Sequence, residues 1–139
     1  MLVDEVGGTA SPLNGASANG WTNYYPKYSP DGRWLAYTVS EVQQTTFAAL
    51  DGRIALVKTD NSGQTERLPL LNDFSFGSSF PTWAVDGSFL SFSSNRPGGQ
   101  GGWDIYIAAI DMLTGADGPA QNLIEANTNE FEHAAYWSP

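Results

Sequence analysis

The hydrophobic pattern of this chain is typical of short strands that carry apolar side chains on both faces. Leu35 and Tyr37 point to one face of a predicted strand, and the apolar residues that alternate with them point to the other. Residues 89–92, Phe-Leu-Ser-Phe, repeat most of this pattern. Strands of this kind lie in sheets that are covered on both sides. The pattern therefore predicts sheets stacked face to face.

The same pattern occurs twice and begins a third time. Residues 26–37 (PKYSPDGRWLAY) return as residues 81–92 (PTWAVDGSFLSF), 55 positions later, and residues 135–139 start a third copy. Self-similarity at such a period marks a repeat architecture in which each unit buries its faces against its neighbours. The predicted strands, a to d, are 24–29, 33–39, 53–59 and 66–71 in the first unit, 80–84, 88–94, 104–110 and 120–124 in the second, and 133–137 as strand a of a third.

A tight turn joins strands a and b in both units. In Ser29-Pro30-Asp31-Gly32 the proline sets φ at the second turn position and the glycine closes a type I turn. The second copy, residues 84–87, keeps the Asp-Gly pair and lacks the proline. We therefore expect strands a and b to form an antiparallel hairpin in each unit.

The repeat divides the chain into four parts. Residues 1–20 are rich in Gly, Ala, Ser and Asn, and we expect them to form a flexible leader with little structure of its own. Residues 21–76 and 77–130 form the two repeat units, and residues 131–139 are the start of a third. The length differences between the units are confined to loops, which a repeat scaffold tolerates.

Charge and composition argue against several classes of protein. The chain has 15 acidic and 6 basic residues, a net charge of −9, and no Lys or Arg after Arg96. Such a surface repels phosphate backbones, so we expect no nucleic-acid partner. The absence of cysteine excludes disulfides and cysteine-based metal sites. No apolar run approaches the length of a membrane span, and the first residues do not resemble a signal peptide, so no membrane insertion is expected.

Several segments resemble the repeats of TolB-type β-propellers. Residues 28–32 (YSPDG) with 35–37 (LAY) resemble the family signature WSPDG…IAF. Residues 92–99 (FSSNRPGG) with 101–106 (GGWDIY) resemble its segment FSSNRPGG…GGxDIY, and residues 136–139 (YWSP) match the return to the next blade. The resemblance covers nearly all of the chain outside the leader. It implies an all-β fold, a β-propeller segment of two four-stranded antiparallel blades plus one strand of a third.

The resemblance is more specific for fold than for function. The same repeat is found in the periplasmic TolB protein, in propellers fused to peptidoglycan-binding domains, in propeller domains of prolyl-oligopeptidase-like peptidases, and in some lyases of sugar polymers. We expect a non-catalytic protein–protein interaction module of the bacterial cell envelope, periplasmic or secreted. The alternatives are an accessory propeller portion of a prolyl-oligopeptidase-like peptidase and a carbohydrate-binding or polysaccharide-lyase-like propeller.

Two blades are fewer than the about six or seven with which a propeller of this family closes. The apolar blade faces therefore predict a partner that covers them. That partner is either the rest of a longer propeller, another protein, or further copies of the chain that complete a ring through head-to-tail contacts. We expect no cofactor.

The best candidate for a binding site in the sequence is the b–c loop of the second unit. Trp103 offers an aromatic platform for a sugar or a peptide side chain, and Asn95, Arg96 and Asp104 would supply polar contacts. Alternatively, Trp103 packs on its own blade. The Gly-rich run 97–102 is followed by a predicted strand and not by a helix, so it does not fit a phosphate-binding loop.

No residues have the spacing of a catalytic or metal site. His133 is the only histidine, and no Gly-x-Ser-x-Gly elbow occurs. Glu130 and Glu132 share one face of an extended segment, as any i, i+2 pair does. We therefore predict no catalytic residues and no metal ligands.

Overall fold

The computed structural model describes residues 10–42, 49–100, 102–133 and 135–138. It contains two four-stranded antiparallel sheets, in each of which consecutive strands are hydrogen-bonded neighbours and neither of which closes on itself. This confirms the predicted all-β, propeller-like segment. Blade 1 comprises β1 (Thr22–Tyr28), β2 (Trp34–Ser40), β3 (Arg53–Lys58) and β4 (Thr65–Glu66), and blade 2 comprises β5 (Ser78–Trp83), β6 (Phe89–Ser94), β7 (Asp104–Ala109) and β8 (Gln121–Asn122).

The a–b turns have the predicted geometry in both blades. The N–H of Gly32 donates to the carbonyl of Ser29, and that of Gly87 to the carbonyl of Ala84, both over 2.9 Å. The two glycines have φ values of +72° and +77°, a region that favours glycine. The turn therefore forms with or without the proline of the first copy.

Strand a carries the same irregularity in both blades. Tyr25 (φ +53°) and Phe80 (φ +57°) lie in the left-handed region where the register with strand b shifts, and each precedes a proline. A bulge of this kind bends an edge strand and takes the proline, which has no N–H, out of the ladder. The rings of Tyr25 and Phe80 then lie 4.5 Å apart between the two strands a.

Strand d is shorter than predicted, because an asparagine side chain takes over the hydrogen bonding of the sheet. Asn72 accepts the N–H of Ile54 (2.9 Å) and donates to its carbonyl (2.8 Å). Asn127 forms the same pair of bonds with Ile105, at 2.7 and 3.0 Å. After only two paired residues, each strand d therefore ends in a turn that this amide ties to strand c.

The main hydrophobic core lies between the two blades. All seven residues of β2 are buried, which confirms that strand b of the first unit is covered on both faces. One face of blade 1 packs against Leu90 and Phe92 of blade 2. The other residues of this core are Trp34, Ala36, Ile54, Leu56, Leu68, Leu71, Trp83, Tyr106, Ala108 and Ile110.

The start of the third unit lies against blade 2 without forming a strand in its described residues. Strand a pairs with strand b of its own unit in both blades, and the sequence contains no third copy of strand b. The predicted strand 133–137 is not formed at residue 133 or at residues 135–137. It is held instead by Trp137, whose indole N–H donates to the carbonyl of Thr82 (3.2 Å) and to Ser91 Oγ (3.1 Å).

The described part of the predicted leader, residues 10–20, lies against blade 1. Leu13 is only 1% exposed and packs in a second core cluster on the face of blade 1 that is turned away from blade 2. The backbone N–H of Asn14 donates to Asn61 Oδ1 over 2.9 Å. This segment covers apolar side chains of β2 and β3 that no neighbouring blade covers. Residues 1–9 lie outside the described residues.

Candidate interaction site

The residues of the predicted loop site come together at the β6–β7 connection, but Trp103 is not a platform. Its side chain is 5% exposed, and its ring lies 5.8 Å from that of Phe131. A Cβ atom at Gly77 would lie 3.0 Å from the tip of the indole, so the ring fills the space that this glycine leaves. The prediction of an exposed aromatic surface is therefore wrong, and the alternative, packing on its own blade, describes Trp103.

Asn95 and Asp104 act within the fold. Asn95 Oδ1 accepts the backbone N–H of Gly77 over 2.8 Å. Asp104 is 1% exposed, and its Oδ1 accepts the N–H of Gln100 over 2.8 Å. These bonds hold the b–c loop and the link between the blades in place.

Arg96 is half-buried and joins the two blades. Its Nη2 donates to the carbonyl of Leu71 (2.8 Å) and to Ser78 Oγ (3.1 Å). The guanidinium lies 5.3 Å from the ring centre of Phe92 and 5.0 Å from that of Tyr106. Burial lowers the pKa of Arg96 from its usual value, and the negative charge of Asp73 opposes that shift. Arg96, which was predicted to contact a ligand, thus connects the two blades.

A cavity lies elsewhere, on the face of blade 1 turned away from blade 2. It has a volume of about 390 Å³, within the range of small-ligand and side-chain pockets. Its floor is formed by Tyr37, Val39 and Ala55, and its walls by Trp21 and Phe74. We call this the outer-face cavity.

The outer-face cavity corresponds by repeat to a surface that is buried in blade 2. Tyr37 is the counterpart of Phe92, at the repeat distance of 55 residues, and Ala55 is the counterpart of Tyr106 in strand c, where the offset is 51 residues. Phe92 and Tyr106 are covered by blade 1, at 1% and 4% exposure. Tyr37 and Ala55 are also buried, at 4% and 6% exposure, because Leu13, Ala16 and Trp21 pack on this face of blade 1 in place of a neighbouring blade.

Two arginines line the outer-face cavity in different states. Arg53 is committed to the fold, since its guanidinium donates to the carbonyls of Gly52, Phe74 and Phe76 at 2.7–3.0 Å. Arg67 is exposed and lies 4.7 Å from the ring centre of Trp21. Its guanidinium makes no hydrogen bond or ion pair within the described residues. A stacked guanidinium keeps its donors available for a carboxylate or carbonyl.

The electrostatics of the cavity floor reflect this free charge. Burial raises the pKa of the Tyr37 phenol, and the positive charge of Arg67 acts against that rise. At the opposite wall, burial acts to raise the pKa of Asp51, but hydrogen bonds from Ser40 Oγ and the N–H of Val42 outweigh it and lower the pKa. The carboxylate of Asp51 is thus held charged by its own loop, and Arg67 is the cation open to a partner.

A second cavity, of about 380 Å³, lies between the two strands a and is more open. It is lined by Tyr25 and Phe80, the residues at the bulges, together with Lys27 and Tyr136. The ammonium group of Lys27 lies 5.3 Å from the ring centre of Tyr136. This cavity is a shallow groove along the strand a edges of the two blades.

The sequence indicated this region only in part. The alternation of apolar residues in strand b predicts that both faces of the sheet are covered. The repeat does not, however, indicate that Trp21 and Arg67 lie next to each other. Asn122 occupies the position of Arg67 in the second unit, and this difference between the units could have pointed to Arg67 as a candidate site residue.

No group of three or more His, Cys, Asp or Glu side chains in the described ranges is arranged to hold a metal ion. Within the same residues, no helix is long and apolar enough to cross a membrane.

Comparisons with known proteins give one distant structural neighbour to report. No family model matches the sequence, and no curated protein matches it. Among solved structures, the hydrazine synthase of Kuenenia stuttgartiensis is similar to this chain, with 19% sequence identity and a TM-score of 0.43. The match covers 78% of this chain and 30% of that chain, so this chain spans less than a third of the neighbour's length.

Proposed function

We propose that this chain is a TolB-like β-propeller segment that acts as a non-catalytic protein–protein interaction module through the outer faces of its blades. The observation that carries the proposal is the equivalence of two surfaces. Leu35 and Tyr37 on the outer face of blade 1 occupy the positions that Leu90 and Phe92 occupy in the core between the blades, and they are covered by Leu13 of the same chain instead of a neighbouring blade. A surface built like a blade interface is suited to another protein surface of the same kind.

The polar chemistry of the predicted loop site supports a structural role for it and not a catalytic one. Arg96, Asn95 and Asp104 spend their donors and acceptors on the backbone of the two blades. The carbohydrate-binding alternative loses its predicted contact surface at Trp103, because that ring is buried. The interaction module is therefore the function that the side chains support best.

The proposed location is the bacterial cell envelope, in the periplasm or outside the cell. It follows from the likeness of residues 28–32 and 92–99 to TolB-type repeats, and it is part of the proposal. A protein partner in that compartment, or further copies of the chain, would complete the propeller.

Site-specific photo-cross-linking in the source cells tests this function. We would place p-benzoylphenylalanine at Phe74, which is 67% exposed at the wall of the outer-face cavity, and in a second strain at Leu113, which is 73% exposed on the c–d turn of blade 2. We expect the probe at Phe74 to form a covalent adduct with a protein of defined mass, and the control at Leu113 to form none. The absence of a protein adduct at Phe74, or the same adducts from both positions, would contradict the proposal.

A further inference from the structure

We propose that the outer-face cavity binds a zwitterionic ligand, namely a free amino acid or a short peptide with an aromatic or large aliphatic side chain. Arg67 binds the carboxylate of this ligand, and Glu41 binds its ammonium group. The apolar part packs on Tyr37 and Trp21, which line the cavity together with the two charged residues. A small molecule inside the cavity goes beyond the proposed function, which concerns a protein that contacts the blade.

The cavity lies where an aromatic side chain fills the corresponding space in blade 2. Tyr37 pairs with Ala55 across β2 and β3, and Phe92 pairs with Tyr106 in the same way across β6 and β7. In blade 2 the rings of Phe92 and Tyr106 are stacked, with their centres 6.0 Å apart. Ala55 has no ring to place beside Tyr37, so blade 1 has room there for an apolar group from outside the chain.

The segment before β1 covers this face of blade 1 and still leaves the cavity unfilled. Leu13 packs in the same cluster as Tyr37, whereas Gly15, Asn19 and Trp21 of this segment line the cavity. The remaining volume of about 390 Å³ is near the lower end of the roughly 300–1,000 Å³ that is typical of small-ligand pockets. It is therefore suited to a ligand of one or two amino-acid residues.

Glu41 gives the cavity a negative charge where blade 2 supplies a cation of its own. In blade 2 the guanidinium of Arg96 lies over the rings of Phe92 and Tyr106. The counterpart of Arg96 one repeat earlier is Glu41, which lines the cavity and is exposed. Its carboxylate makes no hydrogen bond or ion pair within the described residues. An ammonium group of a ligand can therefore take the place that the guanidinium has in blade 2.

Arg67 gives the cavity an open positive charge that blade 2 also lacks. Its counterpart Asn122 is committed to the fold, since its amide group donates to the carbonyl of Gly98 (2.9 Å) and to the hydroxyl of Tyr106 (3.3 Å). The guanidinium of Arg67 is stacked 4.7 Å from the ring centre of Trp21, which leaves its N–H donors available. Two parallel N–H donors of this kind fit a carboxylate.

The other two charged residues in the described lining are used within the fold. Arg53 donates to three backbone carbonyls at 2.7–3.0 Å. The carboxylate of Asp51 accepts a hydroxyl and a backbone N–H of its own loop, at 2.7 and 3.0 Å. The charges with which a ligand can pair are therefore those of Arg67 and Glu41, one of each sign.

These two open charges are both neighbours of Trp21 and do not neutralise each other. Thr22 pairs with Ser40, so Trp21 and Glu41, the next residues outward on the two strands, lie beside each other. The guanidinium of Arg67 lies over the ring of the same tryptophan. Arg67 and Glu41 form no ion pair with each other. A ligand that carries both charges can bridge the gap between them.

The hydroxyl of Tyr37 is a third polar group that points to a ligand. Tyr37 is 4% exposed and lines the cavity, and its hydroxyl makes no hydrogen bond within the described residues. Its counterpart Phe92 has no hydroxyl. Leaving a buried polar group without a partner is costly, and a bound carboxylate or peptide carbonyl gives this hydroxyl an acceptor. The hydroxyl is thus present in the blade that has the cavity and absent from the blade that has none.

Two-dimensional NMR of the isotope-labelled chain, titrated with the dipeptide leucyl-phenylalanine, tests the site. We expect the signal of the Trp21 indole N–H to shift as the dipeptide binds. The N-acetyl dipeptide lacks the ammonium group and the dipeptide amide lacks the carboxylate, so each should bind about tenfold more weakly. A Trp21 signal that does not shift up to about 10 mM dipeptide, or equal affinities for the three compounds, would overturn the inference.

Variants of the two charged residues assign each charge of the ligand. Arg67→Met should weaken binding of the dipeptide about tenfold and leave that of its amide unchanged, while Glu41→Gln should weaken the dipeptide and leave its N-acetyl form unchanged. Both side chains are exposed, so both variants should fold. Arg33→Met and Glu125→Gln, at exposed positions outside the cavity, should bind all three compounds like the unaltered chain. Equal weakening by these controls would overturn the inference.

The titration also separates this site from the proposed function. If the Phe74 probe captures a protein but the chain does not bind the dipeptide, the proposed function stands and only the zwitterion site is removed. If the dipeptide binds at Trp21 but the Phe74 probe captures no protein, the site is supported and the proposed function is contradicted.

Discussion

The indole N–H of Trp137 donates a hydrogen bond to the carbonyl oxygen of Thr82 over 3.2 Å. One repeat earlier, Trp83 makes the same bond to Lys27 over 3.1 Å. In each case a tryptophan at the end of strand a reaches back to the carbonyl of strand a in the preceding unit. The contact between successive units is therefore repeated together with the strands, and it forms even where the third unit has no sheet of its own.

Trp83→Phe should cost about 1–3 kcal/mol in the free energy of unfolding. Trp83 is 6% exposed, so the substitution leaves the Lys27 carbonyl without its donor and a gap in the core between the blades. Trp137→Phe is the matched control: the ring is 38% exposed, and the loss should stay below about 1 kcal/mol. Urea unfolding followed by far-UV circular dichroism measures both. Equal costs would show that the inter-blade core does not depend on Trp83.

Replacing Asn72 by leucine, which keeps most of the volume, should destabilise the chain by about 2–5 kcal/mol. The change leaves the N–H and the carbonyl of Ile54 unpaired in a buried place. Asn127→Leu should have a similar effect through Ile105. Asn129→Ala, at an exposed position, serves as the control and should change stability by less than about 0.5 kcal/mol.

The same urea experiment checks these asparagine variants. If Asn72→Leu unfolds at the same urea concentration as the unaltered chain, the side chain is not a clamp. If only one of the two asparagines matters, the repeat does not extend to this feature.

How much of the fold could be predicted depended on how far apart in the sequence the interacting residues lie. Strand b was predicted to within one residue at its start and end, because alternation of apolar residues and the Asp-Gly turn are local signals. The asparagine clamps were not predicted, although Leu68 to Asn72 and Leu123 to Asn127 share the spacing Leu-x-x-x-Asn. Asparagine after a strand reads as a turn residue unless its distant partner is known.

The candidate site was predicted less well, for the same reason. The exposure of Trp103 depends on Phe131 and Gly77, neither of which is local to the loop, and nothing in residues 95–104 signals them. Leu13 lies in a stretch whose composition indicates a flexible leader, yet it covers the apolar face of blade 1. Tertiary contacts thus override the local pattern at the residues on which a binding surface depends.

Substitutions at the proline position of the two a–b turns should change the stability of the chain in opposite directions. Val85 is 59% exposed and occupies the position that Pro30 holds in the first turn, whose backbone has the same hydrogen bond. Val85→Pro should therefore stabilise the chain by about 0.4–1 kcal/mol, mainly by restricting the unfolded state. Pro30→Ala should destabilise it by a similar amount. Melting temperatures of the two variants and of the double variant measure both effects, and a lower melting temperature for Val85→Pro would contradict the equivalence of the turns.

Acid should weaken the chain through the aspartates of its turns. Hydrogen bonds from the hydroxyl and the N–H of Ser88 lower the pKa of Asp86 below its usual value, and the Asp60 pKa is lowered in the same way by Ser62. A group with a lowered pKa in the folded state adds stability above its unfolded pKa of about 3.9 and loses it as the pH falls through the folded value. We therefore expect the melting temperature to be constant from pH 7 to about 5 and to fall below about 4. Asp86→Asn should lower stability at pH 7 and flatten that fall, while Glu130→Gln, an exposed charge outside the turns, should leave the shape of the curve unchanged. An unaltered pH profile for Asp86→Asn would show that the turn carboxylate does not contribute.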